Sequence, residues 1–149
     1  MAKAQIKMPE EFLLKVSRLA DQTDVIIPKV LEAGGEVVLS KVKSNLSSVV
    51  GSGTKEKSRS TGELERSLGL SPAKQNRDGN WDVKIGFAEP RSDGAGRSGA
   101  NSNAKIANIL EYGKSGQPPK PFLKPARTQS KIACIETMKS KLQEEVDEI

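Results

Sequence analysis

Residues 76–87 read Asn76-Arg77-Asp78-Gly79-Asn80-Trp81-Asp82-Val83-Lys84-Ile85-Gly86-Phe87, and this stretch decides the fold class. Its second half alternates apolar and polar side chains, the period of a half-buried strand. The alternation puts Trp81, Val83, Ile85 and Phe87 on one buried face. Its first half is turn chemistry, and Asp78-Gly79 is the hairpin signal, because a tight loop there needs positive φ. The partner strand then belongs upstream, where a turn at Thr61-Gly62 precedes 64–70. Gly62 is suited to φ > 0, and Leu64 and Leu68 would anchor that strand.

Helical patterns flank the strands. Residues 9–21 predict a short helix: Pro9 suits a first turn, and Glu10 and Glu11 favour the positive end of the helix dipole. Phe12, Leu13, Val16, Leu19 and Ala20 recur at helical spacing. A break is expected near Thr23-Asp24, both good N-caps. A longer helix follows to about Leu46, with Val30, Leu31, Val37, Val38, Val42 and Leu46 as its apolar residues. Gly34-Gly35 marks either a kink in it or a close approach by another backbone. Downstream, Asn103 caps a short helix over 104–112 that ends at Gly113 in the left-handed conformation, with Ile106, Ile109 and Leu110 facing inward. Residues 116–121 form a stiff extended arm. The last helix starts at Phe122 or Leu123, tolerates Pro125 only in its first turn, and shows Ile135, Met138, Leu142, Val146 and Ile149 as its apolar stripe.

The order predicts an α+β domain: N-terminal helices, a small antiparallel β-sheet, and a long C-terminal helix packed on one face. The 149 residues favour one domain over 1–149. Two Gly/Ser-rich stretches, at about 51–62 and 88–103, read as flexible loops.

Composition narrows the function. The chain has no histidine and one cysteine, Cys134. This removes the commonest general base, the commonest metal ligand, and any internal disulfide. Cys134, between apolar neighbours, reads as a small buried hydrophobe. No phosphate-binding loop or nucleophile elbow is present. Paired acids such as Glu63/Glu65 and Glu144/Glu145 read as solvated charge. The expectation is a protein that is not an enzyme, with no catalytic, cofactor-binding or metal residues. No stretch approaches the ~20 apolar residues of a membrane span. The net charge of +5 permits nucleic-acid contact. Lys114, Lys120, Lys124, Arg127 and Lys131 form a run without an acid, while Glu144, Glu145, Asp147 and Glu148 cluster near the end. That division suits a charge-complementary surface orienting neighbouring subunits.

Two motif regions remain. One is Ser60-Thr61-Gly62-Glu63-Leu64-Glu65-Arg66-Ser67-Leu68. The other is Ile109-Leu110-Glu111-Tyr112-Gly113-Lys114, followed by Pro119-Lys120-Pro121-Phe122-Leu123-Lys124-Pro125-Ala126. At these residues the chain resembles the neck and tail-completion proteins of tailed double-stranded DNA bacteriophages, typified by gene product ten of a lambdoid siphophage. The family pattern is a Thr-Gly-x-Leu-x-x-Ser turn, a Glu-aromatic-Gly-Thr segment, and a Pro-x-x-Phe-Leu-x-Pro-Ala entry to the final helix. This chain departs from it at Lys114, where threonine is usual.

The resemblance implies a structural virion protein that joins or completes the tail at the head–tail interface, assembled in the host cytoplasm. It implies a ring of copies, sixfold by analogy with phage tails. Its partners would be the head connector or stopper and the tail terminator or tail tube, with packaged DNA passing close by. Thr61, Gly62, Leu64, Ser67, Glu111, Tyr112, Gly113, Pro121, Phe122 and Pro125 are its motif and candidate interface residues. Phe122 reads either as core or as a subunit-interface anchor. The rival reading is a small basic nucleic-acid-binding protein resting on 55–66 and 114–131. It lacks a recognised motif and has few stacking aromatics.

Overall fold

The computed structural model describes residues 9–50, 62–89 and 102–149. Thr61 and most of the two expected loops lie outside the described residues. The elements are α1 (Glu10–Val49), α2 (Glu63–Ser67), β1 (Leu68–Leu70), β2 (Lys74–Gln75), β3 (Trp81–Asp82), β4 (Ile85–Phe87), α3 (Asn103–Tyr112) and α4 (Leu123–Asp147). The class is α+β, as the sequence predicts.

The N-terminal segment is one helix, not two. α1 runs unbroken through Thr23-Asp24, and Thr23 Oγ1 donates to the Leu19 carbonyl at 3.0 Å instead of capping a new start. Pro28 lies inside α1. Its ring nitrogen denies the Asp24 carbonyl a helical donor, so continuity there comes from the residues on either side. Gly34 and Gly35 do not interrupt α1 either. Both are buried, and a Cβ at Gly34 would stand 2.5 Å from Met138 Cγ, while one at Gly35 would stand 2.8 Å from Leu70 Cδ1. The close approach is made by side chains, of α4 on one side and β1 on the other.

The strands form one hairpin with a fault in it. β1 pairs with β4 antiparallel, Leu70 opposite Ile85, and β2 pairs with β3, Lys74 opposite Asp82. One side thus advances four residues where the other advances three, which is a bulge. Pro72 sits in the bulged strand, where its missing N–H breaks the ladder. The Ser71 amide donates to the Lys84 carbonyl at 2.7 Å, and the Lys84 amide donates to Ser71 Oγ at 2.8 Å, so the joint is still tied. The expected turn is present, with Gly79 at φ 85° and the Asn76 side chain accepting from the amides of Asp78 and Asn80. Residues 81–87 are therefore two short strands, and Trp81, Val83, Ile85 and Phe87 are half-buried rather than buried. The start expected at Leu64 is helix α2; the strand begins at Leu68.

α4 lies antiparallel along α1, and its start reaches the sheet where Phe122 meets Phe87 edge to face at 6.3 Å. The main core joins Leu39, Val42 and Leu46 of α1 to Leu64, Leu68, Ala107, Phe122 and Ala126. The apolar stripe of α4 differs from the expected one. The helix buries Ala126, Ser130 and Glu145, while Ile135 and Leu142 are 38% and 44% exposed. Ala126 joins the core around Val42 and Leu46, while Gly34 makes room on α1 for Met138 and for Cys134, which is half-buried.

Candidate functional site

The two halves of the C-terminal motif region meet in space. α3 starts with the side chain of Ser102 accepting the Lys105 amide at 3.1 Å, one residue before the expected cap. Asn103 is instead fully buried, and its amide donates to the Ala88 carbonyl at 2.8 Å. Glu89 accepts the Ala104 amide at 2.8 Å, so the residues after β4 are tied to the start of α3. α3 ends at Gly113, which has φ 77° and ψ 177°. This is not the expected left-handed helical cap. It is an extended conformation at positive φ that only glycine adopts readily. A Cβ at Gly113 would meet Pro119 N at 2.8 Å and Gln117 O at 2.9 Å.

The 116–121 stretch is not a free arm. Lys114 and Gln117 exchange backbone hydrogen bonds of 3.0 and 2.9 Å around a tight turn, with Gly116 at φ 78°. The Lys120 amide then donates to the Leu110 carbonyl at 2.7 Å. The chain folds back on the end of α3 and delivers Phe122 to the core.

Glu111 closes the arrangement. Its Oε2 accepts the amides of Phe122 at 2.8 Å and Leu123 at 2.9 Å, and its Oε1 accepts that of Lys124 at 3.0 Å. Proline-flanked α4 has no cap of its own, so the carboxylate supplied from α3 satisfies its first amides and sits at the positive end of its dipole. Burial pushes the Glu111 carboxyl up, but the amides of Leu123, Phe122 and Lys124 with the Lys124 charge outweigh it. The group is held below the ordinary carboxylate range. Asn45 of α1 adds a donor to the Phe122 carbonyl and to Gln129 Oε1, each at 3.3 Å.

Of the expected residues, Glu111, Gly113, Pro121, Phe122 and Pro125 are thus brought together. Phe122 is fully buried, hence core within the subunit. Pro125 lies in the first turn of α4. Tyr112 points the other way and is 77% exposed. It rims a groove of about 440 Å³ lined by Val38, Val42, Ile85, Leu123, Lys124 and Arg127. Gly62 has φ 77° and leads into α2, Leu64 is buried in the core, and Ser67 Oγ donates to the Leu64 carbonyl at 2.8 Å. α2 packs on α3, so both motif regions brace one core. Asn45 was not singled out by sequence, Phe87 was expected only on the buried face of the strand, and Asn103 only as a helix cap. The available signal for Asn45 was a polar residue beside the apolar stripe of α1.

A second polar cluster ties α4 to α1. Glu145 accepts from Lys29 at 3.1 Å and faces Lys141 at 3.4 Å. The Lys29 hydrogen bond, ahead of the opposing push of burial, holds the Glu145 carboxyl below its ordinary range. Among the described residues no group of His, Cys, Asp or Glu side chains that could hold a metal ion occurs.

No curated protein and no solved structure matches the chain. A family model described as "Bacteriophage HK97-gp10, putative tail-component" matches residues 10–113, from the start of α1 to the glycine that ends α3. The Pro119–Ala126 motif and α4 lie beyond the matched span, while Gly62, Leu64, Ser67, Glu111, Tyr112 and Gly113 lie within it. The chain therefore belongs to the HK97-gp10-like family of bacteriophage tail components.

Proposed function

We propose that this tail component is a neck or tail-completion subunit that closes into a ring at the head–tail interface. The supporting observation is apolar surface left in water. Ten large apolar side chains are exposed among the described residues, from Phe12 on α1 to Leu142 on α4. Phe12, Leu13, Leu14 and Val16 fall in one stretch of α1, and contiguous exposed apolar surface is a mark of an assembly surface. The ring, sixfold by analogy, would seat between the head connector or stopper and the tail terminator or tube. Lys114, Lys124, Arg127 and Lys131 are exposed and would lie near passing DNA without reading it.

Electron microscopy of a phage lacking the gene tests the reading. DNA-filled heads and unjoined or incomplete tails are expected. Normal joined, infectious particles would sink it.

A further inference from the structure

The groove beside Tyr112 joins an apolar floor to a cationic rim. Val38 and Val42 of α1 and Ile85 of β4 make the floor, and Leu123, 36% exposed, borders it. Lys124 and Arg127 stand on the same lining, three residues apart on α4. Both are exposed, and neither side chain pairs with a carboxylate among the described residues. The one acid in the lining is Glu111, and its oxygens are taken by the amides of Phe122, Leu123 and Lys124. Two cations beside apolar surface are thus left to meet something else.

β4 adds a backbone edge to this lining. The Ser71 amide donates to the Lys84 carbonyl, and the Ala88 amide donates to the Ser67 carbonyl. Bonded pairs alternate along an antiparallel ladder, so Gly86 faces β1 while Ile85 turns its N–H and C=O the other way. No strand lies on that side of β4 among the described residues. A strand edge of this kind pairs readily with an added extended segment.

We propose that this groove takes an extended acidic segment of a neighbouring virion protein, an apolar side chain resting on the floor and a carboxylate meeting Arg127 and Lys124. Charge complementarity and the floor together select the occupant. A nucleic-acid backbone would answer the cations but give Val38, Ile85 and Leu123 nothing to bury against, whereas an acidic peptide answers both. Tyr112, 77% exposed at the rim, supplies the aromatic contact typical of an interface anchor. This inference rests on the joining reading and names the chemistry of the partner at one surface.

The test places the photo-reactive residue p-benzoylphenylalanine at position 112 of the full chain, which keeps an aromatic ring there, and irradiates purified virions. Mass spectrometry of the adduct should map one segment of a different virion protein, with an acidic residue close to an apolar one. Adding Arg127→Glu should lower the adduct yield by about tenfold while leaving the unfolding midpoint of the isolated subunit unchanged. Changing the mapped acid to lysine should then restore the yield to the Arg127→Glu chain, which a purely structural role for Arg127 would not do. An adduct with a second copy of this chain, an adduct on a segment without acids, a yield indifferent to Arg127→Glu, or no adduct in virions that contain the chain overturns the acidic partner and leaves the joining reading standing. Normal joined particles from a phage lacking the gene overturn the joining reading and the partner with it.

Discussion

Glu111 holds the backbone amide of Phe122 at 2.8 Å, so the last residue but one of α3 fixes the residue before α4 begins. The same carboxylate also holds the next two amides. A buried ring is thereby placed by a buried charge, and the two depend on each other.

Glu111→Gln should therefore cost more than an ordinary surface change. Glutamine keeps one acceptor, loses the charge, and turns an NH₂ toward an amide that needs an acceptor. Hydrogen bonds to a charged group contribute about 1.5–3 kcal/mol, and a loss of that order is expected in denaturant unfolding. A change under about 0.5 kcal/mol, the range of neutral surface substitutions, would mean the clasp is not structural.

The pH dependence follows with a definite sign. The Glu111 and Glu145 carboxyls are both held below their ordinary value of 4.5. A depressed acid contributes stability that is fully present above that value and is lost as pH falls through the folded-state pKa. Unfolding midpoints should be flat through neutral pH and drop below about 4.5, the unfolded reference. Glu111→Gln should drop less steeply there, since its share is already gone. An identical acid limb in wild type and variant would refute the role given to Glu111.

Phe122→Ala should unfold the subunit rather than spare it. The ring is fully buried and meets Phe87 at 6.3 Å. Truncating such a residue costs about 3–5 kcal/mol, a large share of the ~5–15 kcal/mol that holds a domain. Thermal unfolding of the isolated variant measures this. A near-native midpoint would restore the interface reading of Phe122.

Gly113→Ala probes backbone rather than side chain. Positive φ and backbone atoms of Pro119 and Gln117 within 2.9 Å leave no room for a methyl group. Strain of about 1–3 kcal/mol is expected, seen as a lowered unfolding midpoint. A neutral or stabilising result would show that the turn after α3 relaxes freely.

Legibility in the sequence followed periodicity. The hairpin turn, the start of α4 and the α+β class were all readable, because Asp78-Gly79, Pro125 and the alternation of 81–87 act locally. The break at Thr23-Asp24 was misread because cap residues also sit inside helices when their side chains bond back, as Thr23 does to Leu19. The α4 stripe was misread for a different reason. Periodicity finds large apolar residues, while the residues that α4 buries are the small Ala126 and Ser130 and the charged Glu145, and Gly34 makes room for Met138 and Cys134. Glu111 was found only as a motif letter. Its role needs α3 and α4 to meet, which no local pattern encodes.

Tyr112 separates assembly from folding. It follows Glu111 directly, yet its ring is 77% exposed at the rim of the groove beside Lys124 and Arg127. Exposed aromatics at such places are typical interface anchors, and truncating one commonly costs ≥ ~2 kcal/mol of binding. Tyr112→Ala should leave the unfolding midpoint of the isolated subunit within about 0.5 kcal/mol of wild type, as for other exposed sites. Incorporation into particles should fall, measured by the variant's abundance in purified virions against wild type expressed alongside it. The comparison with Phe122→Ala supplies the control, because that variant should fail through unfolding, with its soluble pool lost as well. If Tyr112→Ala subunits stay folded and enter virions at the wild-type level, the exposed ring has no joining role and the groove beside it is empty surface.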